Sequence, residues 1–183
     1  MNATDYIDKV IGREGGYSNN PADKGGETMW GITAATARAF GYAGPMAQMT
    51  RDTAIAIYRA RYWTQPRLDQ IQTVDGDIAE KLLDIGVNMG PATGVQFMQR
   101  ALNVLNQQGK AFPDLVVDGG VGAMTIAALK AFIEQRGNDG RRVLLGMIAA
   151  LQSARYIEIA EKNPSQEVFE YGWQLNRALG VAA

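Results

Sequence analysis

The sequence predicts a mainly α-helical fold with one small irregular or β segment near residues 15–32. Three observations carry this. Apolar residues recur at helical spacing along most of the 183 residues. Asn, Thr or Asp stands where several of those stripes begin, and Gly or Pro where they end. One stretch departs from the pattern: Gly15, Gly16, Asn19-Asn20-Pro21, Gly25-Gly26 and Gly31 are turn formers crowded into 15–32.

The elements follow in order. Residues 3–13 form an amphipathic helix with Asn2 as N-cap, Asp5 in the first turn and Ile7, Val10 and Ile11 on one face. Residues 15–32 form a compact loop or small hairpin. Thr33 caps a helix over 34–40, stopped by Gly41 and Gly44-Pro45. Thr50 caps a helix over 51–63, with Ile55, Tyr58 and Tyr62 on one face and Pro66 as breaker. Asp75 caps a buried helix over 76–89, with the stripe Ile78, Leu82, Ile85 and Met89. Gly90-Pro91 punctuates, and a helix over 92–107 turns Val95, Met98, Leu102 and Leu105 inward. A loop over 109–121 leads to a helix over 123–135. Asn138-Asp139-Gly140 opens the longest helix, to about 162, ended by Asn163-Pro164. A last helix covers roughly 166–179. Gly90-Pro91 is the best boundary, which divides the chain into 1–90 and 91–183, packed as one globular unit.

Absences narrow the chemistry. The chain has no cysteine, hence no disulfide, thiol nucleophile or thiolate metal site. It has no histidine, which removes Ser-His-Asp and Cys-His catalysis and the usual zinc ligands. Carboxylates, Lys and Tyr remain as acid–base groups. A net charge of −1 leaves no footprint for nucleic acid. Arg51, Arg59, Arg61 and Arg67 give local basic character that a solvated helix face explains as well. No apolar run approaches the ~20 residues that span a bilayer, so no membrane insertion is expected. The N-terminus lacks a basic region followed by an apolar one, so no standard signal peptide is expected and synthesis is placed in the cytoplasm.

Glu14 is the strongest candidate for chemistry. It takes the next position on the Ile7, Val10, Ile11 face, just before Gly15-Gly16. A carboxyl that ends an apolar stripe and looks across a cleft is held toward its neutral form, as a general acid near neutral pH requires. Asp23 and Thr28 follow on the glycine-rich segment. A glycosidic bond is cut by an acid on one side and a second carboxylate on the other, with a hydroxyl able to orient water. The plainer reading makes Glu14 an exposed helix-end carboxylate, Asp23 a turn residue before Lys24-Gly25, and Thr28 a strand hydroxyl. Tyr17, Trp30 and Tyr62 are aromatic candidates for contact with sugar faces, or cleft-wall and core residues. Asn88, polar beside an apolar stripe, would bond an acetamido group or satisfy backbone. Trp63, Tyr156 and Trp173 are read as packing.

Glu14-Gly15-Gly16-Tyr17-Ser18, Asn20-Pro21-Ala22-Asp23-Lys24-Gly25-Gly26-Glu27-Thr28 and Gly31-Ile32-Thr33 together resemble the signature of glycoside hydrolase family 108, which contains phage-type and bacterial N-acetylmuramidases. The resemblance implies a lysozyme-like, two-lobed helical fold with Glu14 as catalytic glutamate. Asp23 and Thr28 map onto the Glu–Asp–Thr triad of the wider phage lysozymes, although the Asp–Thr spacing is one residue shorter here. From about residue 91 the chain is similar to the predicted peptidoglycan-binding domain that follows such segments. Asp118-Gly119-Gly120-Val121-Gly122 with Thr125 and Ala128-Leu129, then Asn163-Pro164-Ser165-Gln166 and Gly172-Trp173-x-x-Asn176-Arg177, carry that similarity. The Asp-Gly turn reads equally as a glycan contact or as a structural turn.

The expected activity is therefore hydrolysis of the β-1,4 bond between N-acetylmuramic acid and N-acetylglucosamine in peptidoglycan. No metal or organic cofactor is expected. The resemblance implies a phage or prophage endolysin that reaches the wall through a holin. Two rivals stand beside it: a lytic transglycosylase using a single acid, and a non-catalytic wall-binding or secretion-assisting protein.

Overall fold

The computed structural model describes residues 3–13, 16–19 and 26–180. It is mainly helical, with one two-stranded hairpin among the described residues. Two compact units are formed, Met1–Asp69 and Gln70–Ala183.

In the first unit, α1 (Ala3–Arg13) buries Tyr6, Ile7, Val10 and Ile11. This is the stripe its spacing predicts, and each buried aliphatic side chain contributes roughly 1.5–3 kcal/mol. The Tyr6 ring stacks on Trp63 with centroids 5.8 Å apart. Asn2, the expected cap, lies outside the described residues. Strands β1 (Thr28–Met29) and β2 (Ile32–Thr33) pair antiparallel, Thr28 opposite Thr33 and Met29 opposite Ile32. Trp30 and Gly31 close the turn at φ 55° and 73°, the two left-handed positions of a type I′ hairpin.

Helix α2 (Ala34–Phe40) starts as expected: the Thr33 hydroxyl accepts the Thr36 amide at 3.2 Å, and Gly41 ends it at φ 99°. Thr50 caps α3 (Arg51–Tyr58) in the same manner. The predicted α-helix over 51–63 then departs from expectation, because Arg59–Thr64 winds as a π-helix. The wider turn shifts the inward position by one residue. Trp63 is buried, while Ile55 and Tyr62 stay half-buried beside the buried Tyr58. A short helix that the sequence pattern missed, α4 (Leu68–Val74), follows with Leu68 and Ile71 buried.

In the second unit, Asp75 caps α5 (Gly76–Met89) by accepting the Asp77 and Ile78 amides at 3.0 and 3.1 Å. Ile78, Leu82 and Ile85 are buried, and Met89 is half-buried. Helix α6 (Pro91–Leu105) packs on α5, and Gly94 permits the approach. A Cβ there would stand 3.0 Å from the Leu82 carbonyl oxygen. Val95, Met98 and Leu102 point inward.

Two amides on α6, with Asn106 at its C-cap, stitch down the following loop. Asn103 exchanges two 2.8 Å bonds with the Leu115 backbone, and Asn106 donates to Asp114 at 2.6 Å. Buried Gln99 donates to Asp118 Oδ1 and the Gly120 carbonyl, both at 3.0 Å, and accepts the Gly119 amide at 2.9 Å. Gly119 sits at φ 77°, and a Cβ there would meet Ala92 Cβ at 2.7 Å and its carbonyl oxygen at 2.9 Å. Gly119→Ala therefore combines a left-handed alanine with overpacking. It should destabilise the protein by about 2–4 kcal/mol in urea titration, with the slope unchanged.

The expected helices over 123–135 and about 140–162 form one run, α7 (Ala123–Lys162), broken only at Gly137, where φ is 56° and ψ −143°. An 18-residue window in α7 reaches mean hydropathy 1.3, enough by length and composition alone to cross a membrane. The buried residues of its C-terminal half, Leu144, Ile148, Gln152, Tyr156 and Ala160, are spaced by four, the periodicity of a helix packed on one side. The last predicted helix is three pieces: a 3₁₀ turn Pro164–Gln166, α8 (Glu167–Trp173) and a π-helical stretch Gln174–Ala178.

Candidate functional site

Glu14 and Asp23 lie outside the described residues. Among the described residues the first unit shows a small polar and aromatic framework. Thr28 is its middle strand residue. Its backbone exchanges bonds with Ser18 at 2.8 and 3.0 Å, and it stands opposite Thr33 on the other side. The Thr28 hydroxyl has no hydrogen-bond partner among the described residues. The pairing also brings Tyr17, next to Ser18, to the same hairpin. The exposed Tyr17 phenol donates to Glu27 Oε1 at 2.8 Å. That bond, together with the nearby negative charge, holds the phenol above its ordinary pKa.

Trp30 occupies the hairpin turn in a left-handed conformation that costs a non-glycine residue roughly 1 kcal/mol or more. Two bonds fix it there. The indole N–H donates to the Met49 carbonyl at 3.1 Å, and the buried Tyr58 hydroxyl donates to the Trp30 carbonyl at 3.0 Å. Backbone strain of this kind gathers where function demands a set geometry. Tyr62 packs its ring against Tyr58 at 5.4 Å, and the Arg61 guanidinium lies 5.6 Å from the Tyr62 centroid. Tyr17, Thr28, Trp30 and Tyr62 are thus linked through one hairpin and the helix behind it.

Asn88 is not part of that group. It belongs to the second unit, where it is exposed and donates to the Asp84 carbonyl one helical turn back at 2.8 Å. The Asp118 turn is bonded within the fold through one carboxylate oxygen. Asp118 Oδ1 receives the Gly120 amide at 2.7 Å besides Gln99, and these bonds hold its carboxyl below the ordinary range. Sequence reasoning named Glu27 and Tyr58 without assigning either a polar role, and did not single out Gln99. Only the first carried a local signal, its place beside Thr28.

The second unit encloses a polar cluster. Asp84 accepts from Arg177 at 3.3 Å and from Gln152 at 3.1 Å, and Gln152 lies 3.3 Å from the Tyr156 hydroxyl. Tyr156 stacks on Trp173 at 5.0 Å, in keeping with the packing role expected of both. Burial pushes the Tyr156 phenol up to about 12. An acid held neutral in the fold contributes fully below its unfolded value, about 10. It loses that contribution as pH rises from there to about 12. Wild type should therefore lose stability over this window more steeply than Tyr156→Phe, as urea midpoints measured from pH 9 to 12 will show.

Comparison with known proteins adds three findings. The sequence profile of a family described as glycosyl hydrolase 108 matches residues 7–90. A second profile, described as predicted peptidoglycan domain, matches residues 93–178. The solved structure of SagA from Brucella abortus is similar, with a TM-score of 0.66 and 25% identity over 96% of this chain and 92% of that one. No curated protein sequence matches the chain.

Proposed function

We propose that this chain, in which residues 7–90 match glycosyl hydrolase 108 and residues 93–178 a predicted peptidoglycan domain, is a peptidoglycan-degrading glycoside hydrolase of the N-acetylmuramidase type. The bond it cuts is the β-1,4 link between N-acetylmuramic acid and N-acetylglucosamine. Glu14 protonates the leaving oxygen, and Asp23 serves the opposite face as base or nucleophile. Thr28 places a water.

The observation that carries this reading is the Ser18–Thr28 pairing. It brackets Asp23 in sequence, begins four positions after Glu14, and leaves the Thr28 hydroxyl unpartnered among the described residues. Trp30, anchored at both ends, and Tyr62 offer apolar faces to the sugar rings, and Tyr17 with Glu27 offers a polar edge. Asn88, exposed on the second unit, carries a side-chain oxygen suited to an acetamido group. Residues 1–90 carry the chemistry and 91–183 hold the wall. The setting is that of a phage or prophage endolysin released to the wall through a holin.

Mass spectrometry of soluble products from purified peptidoglycan tests the specificity. Reducing N-acetylmuramic acid ends are expected. Reducing N-acetylglucosamine ends would place the cut at the other bond. 1,6-Anhydro ends would replace hydrolysis with transglycosylation and remove Asp23 from the mechanism. Binding without any product would leave a wall-binding protein.

A further inference from the structure

Arg61 differs from its neighbours. Arg51 pairs with Asp8 at 3.0 Å, Arg38 donates to the Tyr42 and Gly44 carbonyls, and Arg59 bonds the Thr4 hydroxyl. Arg61 has no acidic partner among the described residues. Its only polar contact there is a marginal 3.5 Å approach to the Thr36 hydroxyl. It borders a cavity of about 220 Å³ between α2 and the π-helical stretch, lined also by Thr36, Ala39, Phe40, Ile57 and Gln65. Pockets that enclose a whole drug-sized ligand run to roughly 300–1,000 Å³. This one suits a substituent rather than a disaccharide.

The lining is of three kinds. Ala39, Phe40 and Ile57 are apolar and suit methyl groups. Thr36 and Gln65 offer hydroxyl and amide groups suited to peptide bonds. Arg61, with no acidic partner among the described residues, offers a planar fork suited to a carboxylate. We propose that this cavity binds the stem peptide carried by the muramic acid residue, with the alanine methyl against the apolar wall and the following acidic residue's carboxylate on Arg61. The proposal rests on the cell-wall reading above and deepens it.

Two structural links tie the cavity to the framework around Thr28. The Thr33 hydroxyl, on the residue opposite Thr28, donates to the Thr36 hydroxyl at 3.1 Å. The π-helical stretch that presents Arg61 also presents Tyr62. Single π-helical turns within helices recur at functional positions because they re-aim a side chain without ending the helix. An overall charge of −1 gives no general attraction for acidic peptides, so a local cation is needed.

The test is a ¹⁵N NMR titration of the full chain with N-acetylmuramoyl-L-alanyl-D-glutamate, with tri-N-acetylglucosamine and inorganic phosphate as comparison probes. The muramoyl dipeptide should shift the Thr36, Arg61 and Gln65 amides in a saturable manner. Arg61→Ala should weaken its Kd tenfold or more, and Arg61→Lys should recover only part of the loss, because the charge returns without the fork. Absence of shifts at these amides, equal affinity in Arg61→Ala, or equally tight binding of phosphate alone would overturn the proposal. The titration needs no turnover. A failed muramidase assay with a positive titration would separate the two readings, as would the converse.

Discussion

Glu14→Gln should lower peptidoglycan hydrolysis by about 10²–10⁴-fold while the protein folds normally. The substitution keeps size and polarity and removes only the transferable proton. The buried face of α1 is made by Tyr6, Ile7, Val10 and Ile11, all upstream of position 14. Release of reducing ends from purified peptidoglycan measures the loss, and circular dichroism with wall co-sedimentation checks fold and binding. The rate deficit should lie in kcat, since a general acid acts on the leaving oxygen in the transition state and little on ground-state affinity. Retention of wild-type turnover would remove Glu14 from the acid role and reopen the plainer reading of an exposed helix-end carboxylate.

Much of the helical architecture was legible because its signals are local. Thr33, Thr50 and Asp75 each accept amides from the first turn of the helix they precede, so a short polar residue before an apolar stripe was enough to place those starts. Gly41 and Gly180 lie at positive φ where helices were expected to stop. Helix α4 was missed for an equally physical reason. At seven residues it buries only Leu68 and Ile71, and a helix so short is made by packing rather than by its own pattern. The two π-helical stretches, Arg59–Thr64 and Gln174–Ala178, were not distinguished from α-helix by the apolar spacing.

Around the candidate site the sequence could name residues but could not say how their polar atoms are used. Thr28 and Tyr17 stood eleven residues apart in sequence, and only the bridge to Ser18 makes them neighbours. The Asp118 turn was read evenly as glycan contact or structural turn. Its bonds to Gln99 favour the structural use, and Gln99 sits nineteen residues upstream on another element, where no spacing rule would seek it.

The largest stability effect expected is at Asp84. Asp84→Ala should cost roughly 3–5 kcal/mol, the range found when one partner of a buried ion pair is removed. The carboxylate and the Arg177 guanidinium are 9% and 14% exposed, so water screens the pair little. Without Asp84 the guanidinium keeps its desolvation but loses the Asp84 carboxylate at 3.3 Å, and the Gln152 amide loses the acceptor at 3.1 Å. The damage should extend to the C-terminal π-helical stretch, whose carbonyls at Arg177 and Ala178 are also held by Lys81 from α5. Trp173, stacked on Tyr156 and Phe169, reports on that region through its fluorescence. The indole signal should therefore shift in native buffer, and the urea midpoint should fall. A double variant, Asp84→Leu with Arg177→Met, removes both charges and should recover a large part of the loss, because an apolar pair of similar volume carries no desolvation penalty. If the single and double variants were equally unstable, the ion pair would not be the source of the effect. The geometry of the Gln152–Tyr156 contact, rather than the buried charge, would then hold the C-terminal stretch in place.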